Sequence, residues 1–422
     1  METIKKIFKI KDLRNKILSV LALMVVFRFM ASVPVPGVDV DKVKDFFSGD
    51  QFLGMLNVFS GSGMSNFSIV MLGVGPYITA SIIMQLMTMV IPQVEKWYRE
   101  EGEAGRRKFN QITRFLTVPL SILQGFGMLT VLKASQVVGE LSTFQTIQII
   151  ITITAGTLFL MWLGELISEK GIGNGVSLII FAGIVAGLPQ AVRQLIAGWD
   201  ESKLLTYIGG IALVVVTIYF VIFITEGQRN IPVSYARRGN SVRGSKSSSY
   251  LPLRVNQAGV IPIIFAMSIM LFPQVIVKVI SSFENDTLTQ IGLRISTIFG
   301  NQLFYGVMYF VLVVAFTFFY TKITFEPKNI ADNLQKNGGY IPGVRPGNKT
   351  EQYLNYIVNR ITLIGALFLG LIAVLPFVMQ WATGIQTLSI GGTSLLIVVS
   401  VVIETIKQIQ GQLIMRSYEE IS

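Results

Sequence analysis

The chain has 422 residues and a formal net charge of +11, with 51% hydrophobic and only 14% charged residues, whereas a soluble protein of this size carries about 25% charged residues. A mean hydropathy of +0.60 and long apolar runs from end to end predict a polytopic α-helical membrane protein. The sequence contains no Cys and no His, which excludes disulfides, thiolate nucleophiles, zinc sites and imidazole bases. The positive charge favours contact with anionic lipid and with a polyanionic partner.

The first segment, METIKKIFKIKDLRNK, carries too many charges for a removable signal peptide and has no cleavage site before a soluble domain. Ile4, Ile7 and Phe8 recur at helical spacing among Lys residues. This pattern predicts a short helix that lies in the membrane interface.

Windows of about 19–20 residues predict ten membrane spans. They lie near residues 17–33, 74–92, 112–132, 145–167, 176–197, 205–225, 257–279, 303–321, 356–378 and 389–410. The fifth is the weakest, since Gly183, Gly187 and Pro189 interrupt it. The N-terminus, the C-terminus and the loops after even-numbered spans hold most of the 35 Lys and Arg residues. The positive-inside rule therefore predicts that both termini are cytoplasmic.

Residues 34–73 are expected to form an external connector. Its second part, NVFSGSGMSNFSIVMLG at 57–73, is too apolar for a solvated loop, and too short and Gly-rich to span a membrane. Two interpretations stay open: a re-entrant half-helix surrounded by protein, or an amphipathic stretch on the surface. Gly73, Gly75 and Pro76 would separate a half-helix from the next span.

Polar residues inside the spans are few, and ionisable groups gather near span ends, as at Glu165 and Glu404, which argues against a proton relay. Thr79, Gln124 and Asn256 are uncharged polar residues in or beside the second, third and seventh spans. They are either isolated helix-packing contacts or a weak polar seam that can separate.

The segment SEKGIGNGVS at 168–177 has the alternating glycines of a nucleotide-binding loop. A dinucleotide fingerprint requires a strand before it and a helix after it. Since this segment joins two predicted spans, we expect a tight cytoplasmic turn instead.

Two cytoplasmic loops, about 226–256 and 322–355, are longer and more basic than membrane topology requires. Their charges either enforce the topology alone or dock a partner. Loops longer than about 12–15 residues are usually functional or disordered, which favours docking.

Eight strings carry a resemblance to a known family. They are FRFMASVPVPGV at 27–38, NVFSGSGMSNFSI at 57–69, GPYITASIIMQL at 75–86, EGEAGRRKFNQITR at 101–114, MWLGELISEKGIGNGVSLIIFAGIVAGLP at 161–189, LPLRVNQAGVIPIIFA at 251–266, ADNLQKNGGYIPGVRPG at 331–347 and GGTSLLIVV at 391–399. They are spread in order over nearly the whole chain. Together they resemble the SecY family, the channel-forming subunits of the bacterial protein-export translocon.

The resemblance implies an all-α polytopic membrane protein with ten transmembrane helices in two inverted five-helix halves around a central pore. The halves would be residues 1–197 and 198–422. It implies a passive protein-conducting channel that has no enzymatic activity and no cofactor. The channel would translocate unfolded secretory polypeptides across the bacterial cytoplasmic membrane and release transmembrane segments laterally into lipid.

The same resemblance assigns roles to particular residues. A re-entrant plug helix at about 57–68 would include Asn57, Phe59, Gly61, Gly63, Met64, Asn66 and Phe67. An aliphatic pore ring would consist of Val74, Ile78, Ile180, Ile264 and Ile397, with Val74 smaller than the expected Ile and the collar therefore slightly looser. The lateral gate would contain Thr79, Gln124 and Asn256. Partner docking would fall on Arg237, Arg238, Arg243 and Arg345.

The implied partners are small SecE-like and SecG-like membrane subunits, the SecA motor ATPase, the ribosome with its rRNA, signal sequences and nascent polypeptides, and anionic lipid. Two other classes compete with a channel. A secondary transporter also favours inverted repeats and broken helices, but would need a buried ion or proton site. An intramembrane protease would need a Ser–Lys or paired-Asp arrangement within the spans. The sequence offers neither arrangement convincingly.

Overall fold

A computed structural model of the chain describes residues 10–36, 38–49, 57, 60–61, 63–139, 141–197, 204–235, 249–281, 286–383 and 391–419. The helices are α1 (Lys11–Ser32), α2 (Val40–Gly49), α3 (Gly75–Val90), α4 (Pro92–Arg99), α5 (Gly102–Ala134), α6 (Thr143–Glu169), α7 (Gly175–Ala197), α8 (Leu204–Glu226), α9 (Ile261–Ser281), α10 (Asp286–Gly300), α11 (Gln302–Thr324), α12 (Pro327–Lys336), α13 (Asn348–Thr383) and α14 (Gly391–Glu419). The strands are β1 (Gln228–Tyr235), β2 (Ser249–Arg254) and β3 (Gly339–Tyr340). The predicted interfacial helix at Ile4, Ile7 and Phe8 lies outside the described residues.

Each predicted span falls on a helix: α1, α3, α5, α6, α7, α8, α9, α11, α13 and α14. Within the described part of the chain, seven helical stretches are long and apolar enough to cross a membrane, and an eighth is added if α3 and α4 count as one span. The apolar parts of α7 and α9 are shorter. The prediction of a multi-pass helical membrane protein is therefore confirmed, while the count of ten spans stays a prediction.

The chain bends by 109° between α3 and α4. Ile91 separates the two helices in an extended conformation, with φ −111° and ψ 109°. Pro92 follows it, and the residue before a proline is sterically disfavoured in the helical region. Pro92 then suits the first position of α4, because its missing N–H would have no helical partner there.

The main core is a cluster of buried apolar side chains from α1, α3, α6, α7, α8, α9, α11, α13 and α14. A second cluster joins α2 to α5, α6 and the connector that precedes α3. The predicted boundary between two halves falls at the end of α7, and residues 198–203 lie outside the described part. The division into halves at 197 and 198 therefore stays a prediction.

The two long loops build one three-stranded sheet in the order β2-β1-β3, here called the loop sheet. β1 and β2 pair antiparallel, and β3 pairs with the other edge of β1 through Ser234 and Tyr340. Ile231, Val233 and Leu253 are buried against the first turns of α13. The strands were not predicted from the sequence, although apolar residues alternate with other residues in both β1 and β2.

Candidate functional site

The five predicted ring residues come from four helices and belong to one buried apolar cluster. Val74 caps the N-terminus of α3 and Ile78 lies one turn later. Ile180, Ile264 and Ile397 come from α7, α9 and α14. All five side chains are at most 8% exposed. The structure thus brings these residues into one cluster, and their action as a pore collar stays a prediction.

A cavity of about 400 Å³ borders three of the ring residues, Ile78, Ile180 and Ile264. The rest of its wall is largely polar: Tyr77, Ser81, Gln85, Asn110, Arg114, Glu165, Ser168, Glu169, Asn174 and Ser177 contribute to it. In this wall, Arg114 Nε of α5 donates a hydrogen bond of 2.7 Å to Glu165 Oε1 of α6. This cavity, here called the vestibule, is therefore lined both by polar, ion-paired side chains and by aliphatic ring residues.

The predicted plug differs in local structure from the prediction. The described residues 60–61 and 63–67 form turns, and Ser68 forms an isolated antiparallel bridge with Pro34. Asn57 is helical, and Phe59 lies outside the described residues. Gly61 and Phe67 have φ values of +68° and +44°, which a right-handed helix does not allow. The predicted helix therefore does not extend over residues 60–68.

This segment, residues 60–74, is nevertheless inserted into the protein. Ser60, Met64 and Phe67 are buried, as are Gly61 and Gly63. The burial contradicts the interpretation as an exposed amphipathic stretch and agrees with a re-entrant segment surrounded by protein. We call the described residues between 57 and 74 the connector segment.

Hydrogen bonds hold the connector segment against the end of α1 and the residues that follow α1. Its Phe67 carbonyl accepts from Val35 N at 2.8 Å, and Ile69 N donates to Val33 O at 3.1 Å. Within the segment, Ser65 N donates to Asn57 Oδ1 at 2.8 Å. The Asn66 side chain reaches Ala31 O at 3.5 Å, at the end of α1. Buried backbone groups are thereby paired without a helix.

Helix α2 covers the connector segment, a role that sequence analysis did not assign to it. Val43 and Phe47 pack with Met64, Phe67 and Met71 in the second apolar cluster. Phe47 is 2% exposed. The available signal was the amphipathic pattern of VDKVKDFF, in which the apolar residues recur at helical spacing.

The structure brings together two of the three predicted gate residues. Gln124 Nε2 of α5 donates to Thr79 Oγ1 of α3 at 3.4 Å. Asn256 instead donates to the carbonyl of Gly259, at 3.2 Å, within its own loop. Its buried Oδ1 has no hydrogen-bond partner among the described residues. The seam prediction therefore has a contact on the α3–α5 side, and the assignment of Asn256 to it stays a prediction.

Of the predicted docking residues, Arg345 is described, on the turn between β3 and α13. Arg237, Arg238 and Arg243 lie outside the described residues. The turn is fixed by its backbone: Thr350 Oγ1 donates to Arg345 O at 3.0 Å. Gly343 and Gly347 on either side have φ values of +81° and +90°. Arg345 is exposed, so its guanidinium is presented to solvent from a turn whose shape does not depend on it.

The glycine segment after α6 is a tight turn, as predicted, with φ values of +73° at Gly171 and +79° at Gly173. The turn also binds α14, which sequence analysis missed. Gly173 N donates to Gln408 Oε1 at 2.5 Å. Gln412 Nε2 donates to Gly171 O at 2.6 Å. Nothing in the local sequence pattern pairs residues this far apart.

Comparison with known proteins follows this geometry. The chain matches the SecY family over residues 68–406. It is 43% identical over 438 residues to the protein translocase subunit SecY of Streptomyces coelicolor, with 98% of this chain and 97% of that protein covered.

Two solved structures share the fold. One concerns the plug domain of the SecY protein, which stabilises the closed state of the translocation channel and maintains a membrane seal. It aligns with a TM-score of 0.64 at 21% identity over 92% of this chain and 90% of that one. The other is Sec61 in the canine ribosome–channel complex from the endoplasmic reticulum, with a TM-score of 0.60 at 18% identity over 93% and 90%. The family match and the full-length relative together identify the chain as a member of the SecY family.

Proposed function

We propose that the chain is a protein-conducting channel that translocates unfolded secretory polypeptides and releases transmembrane segments laterally into lipid. The observation that carries this proposal is the near full-length similarity to a protein translocase subunit SecY. The vestibule, which Ile78, Ile180 and Ile264 border, supports it, because a narrow apolar constriction dewets and stops ions. Flexible aliphatic side chains can also deform around a passing polypeptide.

In this proposal, the connector segment is the plug of the resting channel, and the surface where α3 and α5 meet α9 is the lateral gate. The buried position of the connector segment beside α1, α2 and α7 supports the first role. The second is supported by α9, which packs on both α3 and α5. Gln124 and Thr79, which hydrogen-bond to each other on the α3–α5 side, would line this gate without spanning it.

The channel is passive, and its partners drive translocation. We propose that the SecA motor and the ribosome dock on the two long loops, with Arg345 as a contact, and that SecE-like and SecG-like subunits complete the membrane complex. The exposed apolar faces of α1 and α8 support further membrane contacts, with lipid or with such a subunit. The placement is the bacterial cytoplasmic membrane, rich in anionic lipid, with both termini cytoplasmic.

Reconstitution tests the proposed function. The chain, purified with its small membrane partners, is placed in proteoliposomes with SecA, ATP and a preprotein that carries a signal sequence. We expect the preprotein to become protected from added protease. The matched control is the same preprotein without its signal sequence. If neither preprotein becomes protected from protease, and the proteoliposomes instead accumulate a small solute against a gradient, the chain would be a transporter.

A further inference from the structure

Arg28 is the one charged residue between Lys16 and Asp39, and it lies in the last two turns of the membrane-spanning helix α1. Its neighbours Val25 and Phe29 are exposed, at 68% and 69%, whereas Phe27 is buried. A guanidinium stays protonated under all ordinary conditions. A charge at membrane depth is costly unless it finds a partner inside the protein.

The partner is the connector segment. Arg28 Nη1 donates a hydrogen bond of 2.6 Å to the carbonyl oxygen of Gly61. Among the described residues, no carboxylate forms an ion pair with Arg28. The hydrogen bond that this half-buried cation makes is therefore to a backbone carbonyl in the turn at residues 60–61.

The position of Gly61 depends on a close approach. A Cβ there would lie 2.9 Å from the ring of Phe27 and 3.0 Å from the Cα of Gly183 in α7. The φ of +68° also places Gly61 in the left-handed region that favours glycine. The segment is therefore pressed between α1 and α7, with its carbonyl directed at Arg28.

We propose that Arg28 is the positioning residue that holds the plug in its seated place, through a charge-assisted hydrogen bond to Gly61. This inference rests on the proposed role of the connector segment as the plug. Charge-assisted hydrogen bonds are stronger than neutral ones, and this bond must break before the segment can leave. The backbone bonds that tie the segment to the end of α1, at Phe67 and Ile69, lie after Gly61 and Gly63 in the chain. Among the described residues, the hydrogen bond that ties Gly61 to α1 is the one from Arg28.

The test uses the absence of native Cys. Met64→Cys places a thiol in the segment that is buried against α2, and a membrane-impermeant maleimide added from outside reacts with it only when the segment leaves. In the reconstituted complex, Arg28→Leu should raise the labelling rate of this thiol about tenfold, the effect of losing one hydrogen bond to a charged group. Arg28→Lys, which keeps the charge, should restore most of the protection.

Two controls separate positioning from general destabilisation. Ile149→Cys lies in the same apolar cluster but on α6, so its labelling should stay slow in every background. Ser32→Ala removes a hydrogen bond from the same helix, that of Ser32 Oγ to Arg28 O, and should leave the thiol introduced by Met64→Cys protected. If Arg28→Leu speeds labelling at both Met64→Cys and Ile149→Cys, the substitution destabilises the protein in general. That result would overturn the inference. If Arg28→Leu is not recovered from membranes, Arg28→Gln allows the same comparison.

Ion conductance of the resting complex in planar bilayers tests the role of Arg28 separately from the proposed role of the connector segment as the plug. We expect Arg28→Leu to raise conductance together with the labelling of the thiol in the connector segment. Unchanged labelling overturns the role of Arg28 and leaves the plug role intact. Faster labelling with unchanged conductance means that the segment moves without opening a path, which overturns the plug role and the inference with it.

Discussion

Ile78 and Ile264 each border the polar vestibule on one side and the apolar cluster on the other. Their side chains therefore lie where a water column would have to begin if the pore were wetted. Val74 and Ile397 belong to the same cluster and are 3% and 0% exposed. A polar group at Ile78 or Ile264 would extend the vestibule, whereas one at Ile397 would be buried among apolar neighbours and cost stability.

We expect Ile78→Asn or Ile264→Asn to raise ion leak several-fold and to relax the signal-sequence requirement, because an amide holds water in the constriction. Single-channel conductance in planar bilayers measures the first effect, and export of a preprotein with a defective signal measures the second. Ile180→Leu, which conserves volume and polarity, is the matched control and should conduct as the unaltered protein does. Unchanged conductance in both Asn variants would contradict the assignment of the ring.

In Arg345, the backbone carbonyl stabilises the turn, whereas the side chain is free to contact a partner. The carbonyl accepts from Thr350, while the exposed guanidinium can present a planar fork of donors to a carboxylate or phosphate. Arg345→Glu should leave the free energy of unfolding within about 0.5 kcal/mol, as for most surface substitutions.

Translocation driven by SecA, measured in proteoliposomes, should fall sharply in Arg345→Glu. Lys349→Glu makes the same charge change four residues later in the chain and should have a smaller effect. A melting temperature that collapses in Arg345→Glu would make the residue structural, and normal translocation would remove its docking role.

At the scale of elements, the sequence predicted those features that depend on local patterns of residues. Hydropathy located every span-forming helix, and the glycines at 171 and 173 correctly predicted a turn. The attachment of that turn to Gln408 joins residues 235 positions apart, which no local period encodes. The plug was predicted as a helix because family resemblance supplied the element type, while the glycines and buried backbone bonds of residues 60–68 produce turns.

The turn at Gly173 gives a test of this long-range contact. A Cβ there would lie 3.0 Å from Leu178 Cδ1 and 3.2 Å from Thr405 Oγ1 of α14, at a φ of +79°. We expect Gly173→Ala to lower the free energy of unfolding by about 1–3 kcal/mol, from backbone strain and displacement of α14. Thermal melting of the purified complex measures the change.

Gly187→Ala is the matched control for Gly173→Ala. Gly187 lies within α7, and a Cβ there would meet nothing within 4 Å. Alanine should therefore be neutral or raise stability by about 0.5–1 kcal/mol, since glycine loses more conformational entropy in a helix. Equal melting temperatures for the two variants would show that the contact between this turn and α14 does not contribute to stability.

For the whole molecule, the two predicted halves meet along a few surfaces. α9 packs on α3 and α5, and α7 packs on α14. Polar links cross the same boundary, such as the 2.8 Å ion pair between Arg99 and Glu326. Because this pair is partly exposed, solvent screens it and it contributes little to holding the halves together. Composition and family resemblance predicted a polytopic helical membrane protein. They did not predict which helices can move apart, because that depends on the contacts between these surfaces.

The α3–α9 surface is the one that must open if membrane segments leave sideways, and a reversible covalent link tests this. In the Cys-free chain, Thr79→Cys is combined in turn with one Cys at Val260, just before α9, or at Ile263, Ile264 or Met267 within it, all of which belong to the same buried cluster as Ile78. Only a pair whose Cα atoms lie within about 4.4–6.8 Å can form a disulfide without moving the backbone. Export should stop in the oxidised pair and return on reduction, because the link prevents α9 from leaving α3.

The control pair is Thr79→Cys with Gln124→Cys, which joins α3 to α5 inside the first half at a site where the native side chains already touch. A link within one half leaves the α3–α9 surface free, so export should continue whether that pair is oxidised or reduced. If the disulfide between the halves forms and the oxidised protein still exports as fast as the reduced protein, then α3 and α9 do not need to separate. The polypeptide must then use another path. If both pairs stop export, the α3–α5 contact moves during translocation as well, and the gate is wider than the seam between the halves.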